Sequence, residues 1–200
     1  MKRITHRAQI AAFLLVIAVF LAGAARAAED VNDTWLPEAP EGRKFELIWH
    51  DEFDGDTIDE SKWGMPEGPR RDGVWTPRAA KLNGRGYLLI AALEEDGEYL
   101  SAALRSTGKF EHSFGFYTAR IRLQKQTGHW SAFWLNGPGT GSVENGGSDG
   151  AEIDIYEKFD QSLIVYHNIH WDGYHEHHKH TGSAVYVPGV MKGFHTFSLW

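Results

Sequence analysis

From residue 45 onward no stretch of this chain sustains a 3.6-residue apolar period; short alternating runs are cut by glycine-containing turns instead. The runs at 45–49, 86–92, 99–104, 114–123, 131–135, 151–156, 163–170, 184–187 and 194–200 read as strands. Between them stand Asp96-Gly97, Gly128, Gly137-Pro138-Gly139, the glycine-rich 139–150, Asp172-Gly173 and Pro188-Gly189. Many short strands with recurrent turns predict an all-β fold, an antiparallel sandwich or barrel, without internal repeats. The last run alternates up to Trp200, and all-β sandwiches commonly run to about 200–250 residues. The expectation is a domain that continues past this sequence, its C-terminal strands missing here.

The first 27 residues read as an address. Lys2, Arg3 and Arg7 precede an apolar core at 10–21, and Ala25-Arg26-Ala27 supplies the small-x-small pattern cut by signal peptidase. The core is shorter than the roughly 20 apolar residues of a membrane span. A secreted protein is expected, extracellular or periplasmic, off the membrane once the leader is removed. Residues 28–44, with Pro37, Pro40 and Gly42, read as an arm or linker, and 45–200 as the domain.

Composition narrows the partners. The chain has no cysteine, so packing and not disulfides must hold the fold. Without the four basic residues of the leader, 16 basic residues face 27 acidic ones. Nucleic acid is a poor partner for that charge, because its binding depends on neutralising phosphates. A neutral polymer is compatible with it. A monomer that needs no cofactor is expected.

The segment richest in chemistry is Gly150-Ala151-Glu152-Ile153-Asp154-Ile155-Tyr156-Glu157. Alternation puts Glu152 and Asp154 on one face and Ile153 and Ile155 on the other. It also sends Glu157 to the core side, where an unpaired carboxylate is costly. One extra residue, a β-bulge near Tyr156, returns Glu157 to the face of the other two acids. The bland alternative is a half-exposed strand with its acids in water. Crowded carboxylates push their pKa values apart, so one can act as nucleophile while another holds a proton. Double displacement at an anomeric carbon needs two carboxyls roughly 5–5.5 Å apart.

These residues resemble glycoside hydrolase family 16, whose bulged signature is E-[apolar]-D-[apolar]-x-E. The resemblance extends to Leu47-Ile48-Trp49-His50-Asp51-Glu52-Phe53-Asp54-Gly55, to Gly115-Phe116-Tyr117-Thr118-Ala119-Arg120-Ile121-Arg122 and to His129-Trp130-Ser131-Ala132-Phe133-Trp134-Leu135. His170-Trp171-Asp172-Gly173-Tyr174 and Phe194-His195-Thr196-Phe197 match later elements, in the family's order. Thr118 and Ser131 depart from the family's usual Glu and Pro, which bears on subfamily. The resemblance implies a concanavalin A-like jelly-roll sandwich of two antiparallel sheets with an open concave cleft. It further implies a retaining endo-β-glycanase, with Glu152 as nucleophile, Asp154 as assisting residue and Glu157 as general acid/base. A structural Ca2+ held by a residue like Glu52 and backbone carbonyls is also implied.

Beside the acids, Trp130 and Trp134 share strand parity and, with Trp171, are candidate platforms for sugar rings; core packing is the alternative. His170 is placed by parity and resemblance beside the acid/base. The cluster His167, His170, His175, His177, His178 and His180 has imidazoles suited to Zn, Cu or Ni, but a polar loop containing Lys179 favours a solvated reading. The leading expectation is hydrolysis of β-1,3- or mixed-linkage glucan. A marine galactan hydrolase, a transglycosylase, a non-catalytic carbohydrate-binding sandwich and a periplasmic metal-binding protein are the rivals.

Overall fold

The computed structural model describes residues 36–200, so the leader at 1–27 and the first part of the arm lie outside the described residues. The chain divides into two units, 1–44 and 45–200. In the first, Arg43 N–H closes a turn on the carbonyl of Pro40, 2.9 Å away.

The second unit carries twelve strands among the described residues. They are β1 (Gly68–Arg70), β2 (Gly73–Trp75), β3 (Ala80–Leu82), β4 (Leu88–Ile90), β5 (Leu93–Glu95) and β6 (Glu98–Ser101), followed by β7 (Tyr117–Ile121), β8 (Trp130–Asn136), β9 (Glu152–Phe159), β10 (Ile164–Trp171), β11 (Lys179–Tyr186) and β12 (His195–Leu199). A 3-10 turn at Pro77–Ala79 is the only helical piece among the described residues. The fold is an all-β jelly-roll sandwich.

It departs from the simple expectation in three ways. The strands form four sheets, ordered β1-β2-β6-β5, β11-β10-β9-β8, β12-β7 and β3-β4. One pairing, β2 with β6, is parallel. Gly73 lies against Tyr99 of β6, whose carbonyl a Cβ there would strike. Residues 45–49 form no strand. Phe45 packs on Phe116 and Trp200, and Trp49 on Trp63 and Phe110, while Leu47 and Ile48 stay exposed. The alternation there reflects aromatic anchoring without a ladder partner.

The core lies between the β8–β11 sheet and the β7–β12 pair. Leu123, Tyr156, Val165 and Val190 are buried together, with Phe133, Val187 and Phe197 against them. The Tyr156 and Phe197 rings lie 4.3 Å apart, a contact worth about 0.5–1.5 kcal/mol beyond the area it buries. This packing fixes the inner face of β9 and leaves its other face to carry the acids.

Candidate active site

The register of β9 shows where the acids go. Against β8 it runs regularly from Trp130↔Phe159 to Phe133↔Tyr156, and the next pair is Trp134↔Asp154. Against β10, Tyr166↔Glu157 is followed by Asn168↔Asp154. Ile155 is therefore the extra residue, and the bulge predicted near Tyr156 is centred on it. Tyr156 takes the core position, and Glu152, Asp154 and Glu157 share one face. The carbonyl of Ile155 accepts from Nδ1 of His167 at 2.7 Å; since a carbonyl only accepts, that nitrogen carries the hydrogen.

The two glutamates have their own donors. Glu152 Oε2 accepts from the Tyr174 hydroxyl at 2.8 Å and from Asn136 Nδ2 at 3.1 Å. Asn136 Nδ2 also donates to the Tyr174 oxygen at 2.9 Å, which closes a three-membered network. Glu157 accepts from Trp130 Nε1 at 2.7 Å on one oxygen and from Asn168 Nδ2 at 2.8 Å on the other. Asn168 reaches that position because its cross-strand neighbour is Gly182, where a Cβ would collide with the Asn168 amide oxygen and the His167 carbonyl.

Asp154 stands between them and is buried. His170 Nε2 lies 3.2 Å from its Oδ2, but without hydrogen-bond geometry, so that oxygen has no hydrogen-bond partner. Burial first, then the charges of Glu157 and Glu152 and a hydrogen bond with Glu157, push its carboxyl up to about 7. Burial also lowers the His170 pKa, with the two glutamates opposing the shift. The Tyr174 hydroxyl is pushed up to about 12, chiefly by burial and by its bond to Glu152. One donor atom from each of Glu152, Asp154 and His170 lies within 4.8 Å of the others.

The row that faces these acids is legible from β8. Trp130, Ala132, Trp134 and Asn136 stand opposite Phe159, Glu157, Asp154 and Glu152. Trp134 is half-buried beside Asp154. Trp130 is exposed, donates to Glu157 and carries the Arg71 guanidinium 4.1 Å from its ring centre. Trp171 follows His170 by one residue and falls on the other face, against Gly147 of the loop above it. The structure does not bring it to the acids. Glu52 is exposed, with His50 Nδ1 3.4 Å from its carboxylate. One carboxylate and an imidazole are fewer oxygens than Ca2+ takes, so its remaining ligands would be backbone carbonyls and water.

The histidine segment is not a solvated loop throughout. Lys179 and His180 open β11, where His180 pairs with His170, and His178 Nε2 lies 2.9 Å from His170 Nδ1. Next to them a cavity of about 420 Å³ is lined by Gly141, Val143, Gly173, Tyr174, His175 and His177. Its rim is held by Asp172, fully buried, which accepts from Lys179 Nζ at 2.7 Å and from the amides of Asn145 and Gly147.

A bulged strand with three acids on one face is what the signature of residues 152–157 requires. Residues 70–200 match the family model for glycosyl hydrolases family 16. The chain belongs to that family. It is 32% identical over 168 residues to a β-glucanase of Rhodothermus marinus, covering 78% of this chain and 59% of that one. It spans about three-fifths of that relative's length. A keratan-sulfate endo-1,4-β-galactosidase of Sphingobacterium multivorum is 27% identical, over 63% of this chain and 32% of its own. Among solved structures, the laminarinase from Flavobacterium sp. UMI-01 superposes with a TM-score of 0.67 at 25% identity, covering 76% of this chain and 69% of that one. The laminarinase from Rhodothermus marinus gives 0.63 at 27%, covering 76% and 66%.

Within this family 16 domain, sequence reasoning missed Asn136, Asn168, Tyr174 and Asp172 as site residues. The parity that joins Trp130 to Trp134 continues to Asn136, and the parity of His170 reaches back to Asn168. No spacing rule locates Tyr174 or Asp172, which come from a hairpin whose path depends on the fold.

Proposed function

We propose that this chain is a secreted retaining endo-β-glycanase that cleaves β-1,3- or mixed-linkage glucan by double displacement. The observation that carries the reading is the bulge at Ile155, which sets Glu152 and Glu157 on one face with separate donors. Their cross-strand partners Asn136 and Ala132 are four residues apart, so the Cα atoms span about 13–14 Å at roughly 3.4 Å per residue. Two glutamate side chains leaning inward bring that span toward the roughly 5–5.5 Å of a retaining pair.

In this reading Glu152, steadied by Asn136 and Tyr174, attacks the anomeric carbon. Glu157 protonates the departing oxygen and later withdraws a proton from the attacking water. In the glycosyl-enzyme Glu152 is an ester and Glu157, having given up its proton, is the anion; a proton kept on Asp154 then donates to Glu157. Trp134 and Trp130 offer ring faces to the sugar. The similarity to a β-glucanase and to laminarinases supports the choice of glucan.

The test is release of new reducing ends from laminarin and lichenan, with the anomer of the first product read by proton NMR. Retained β configuration and loss of turnover in Glu152→Ala are expected; an inverted product would end the double-displacement reading. Agarose and carrageenan belong in the same screen, since the keratan-sulfate relative and the cation of Arg71 beside Trp130 favour an anionic galactan as second reading. For the structural Ca2+ at Glu52, a rise in melting temperature on adding calcium that vanishes in Glu52→Ala is the expected outcome.

A further inference from the structure

His170 and His178 form an imidazole pair whose geometry says which nitrogen holds which hydrogen. Their ring centres are 5.0 Å apart with planes inclined by 19°, while the facing nitrogens are 2.9 Å apart. The centre spacing exceeds the nitrogen spacing by about two ring radii, so the rings meet edge to edge in one plane and do not stack face to face. That is the arrangement of an N–H···N hydrogen bond. A metal ion inserted between two nitrogens pointing at each other would have to spread them to about 4 Å, twice an ordinary Zn–N bond. The group of donors within 4.8 Å comprises Glu152, Asp154 and His170 and does not extend to His178 or His180.

One hydrogen lies on that line, and its placement decides what Asp154 meets. If His170 donated from Nδ1, the bare, electron-rich Nε2 of its neutral ring would lie 3.2 Å from Asp154 Oδ2, off the hydrogen-bond line. That contact repels when Asp154 is ionised. When Asp154 is protonated, its hydrogen bond goes to Glu157 and leaves nothing for Nε2. The opposite placement has no conflict: His178 Nε2–H donates, His170 Nδ1 accepts, and the positive Nε2–H of His170 lies beside the carboxyl oxygen.

We propose that His178 is a positioning residue for the carboxylate row, donating from Nε2 to His170 Nδ1 and so fixing the hydrogen of neutral His170 on Nε2, the nitrogen beside Asp154. The assignment rests on the catalytic reading of Glu152, Asp154 and Glu157. His178 is itself held: its amide closes a turn on the His175 carbonyl at 3.0 Å, and Lys179 next to it is tied to buried Asp172. The groups that surround His170 are Glu152, Asp154 and Glu157 on β9, His178 in the hairpin and His180 on β11. Of these, His178 is the one hydrogen-bonded to its Nδ1.

The experiment uses histidine-labelled protein in alkaline buffer, with the variants His178→Leu and His178→Gln. Nitrogen NMR of the wild type is expected to show His170 protonated on Nε2, with a scalar coupling across the bond to His178. Leu removes the donor, and mixed tautomers at His170 should result. A glutamine amide restores a donor at similar reach and should restore the Nε2–H form. With laminarin, Leu should lower kcat about tenfold while KM stays within about twofold, and Gln should recover to within about threefold of wild type, the scale of one hydrogen bond. A wild-type His170 protonated on Nδ1, a Leu variant with unchanged kcat, or a Gln variant no better than Leu would overturn the proposal. If the wild type cleaves no polysaccharide, the catalytic reading fails, and the tautomer of His170 still decides the role of His178 by itself.

Discussion

His167 donates from Nδ1 to the carbonyl of Ile155, the one residue of β9 that has no partner on β8. A bulge leaves a backbone group out of the ladder, and a side chain from the next strand takes it up. His167→Leu should therefore cost about 1 kcal/mol in urea unfolding, the size of one partly exposed hydrogen bond. Turnover should fall further than stability, because Glu157 depends on the bulge for its aim. Equal losses in both would mean that the bulge holds without this bond.

Asp154 makes stability depend on pH in an unusual direction. Its carboxyl is raised from 3.8 to about 7, so between those values the folded chain keeps a proton that the unfolded chain has released. Wild-type stability should fall as the pH climbs from about 4 to 7 and level off above. Asp154→Asn, neutral at every pH, should melt higher than wild type at pH 8, with the gap closing toward pH 5. A gap that stays constant between the two would contradict the raised carboxyl.

Tyr174→Phe deletes one donor to Glu152 and leaves Asn136 in place. Hydrogen bonds to charged groups are worth about 1.5–3 kcal/mol, so kcat should drop about tenfold to a hundredfold. Asn136→Ala should act similarly. Because the two residues also bond each other, the double variant should lose less than the product of the singles.

Trp130 and Trp134 should separate in kinetics. Trp130→Phe keeps a ring but removes the donor to Glu157, so kcat should suffer. Trp134→Ala removes a ring face beside Asp154, and KM should rise with a smaller change in kcat. The reverse pattern in Michaelis parameters would reassign the two.

Much of this was legible because period-two patterning carries facing information. Glu152 and Asp154 against Ile153 and Ile155, and Trp130 with Trp134, fall where alternation puts them. The bulge was legible for an energetic reason: without it Glu157 is buried unpaired. Residues 45–49 misled because aromatic anchoring at Phe45 and Trp49 copies the alternation of a strand. The short strands β1, β2, β3 and β5, three residues each, carry too few positions for a period to show. Tyr174 and Asp172 depend on how a hairpin folds back over β9, and no local pattern encodes that path.

Asp172 also sets how the rim of the site responds to acid. The Lys179 ammonium, more than the two loop amides, holds its carboxyl below the usual carboxylate range. Its contribution to folding is complete above about pH 4 and is lost only as the pH falls through the lowered value. The latch it makes between the 145–147 loop and β11 is thus acid-proof across the range in which Asp154 titrates. The exposed His177–Glu144 pair on the same rim contributes little. The latch therefore keeps hold of the wall that carries Tyr174 and His178 from mildly acidic to alkaline solution, and a pH–rate curve measured there does not record Asp172 letting go.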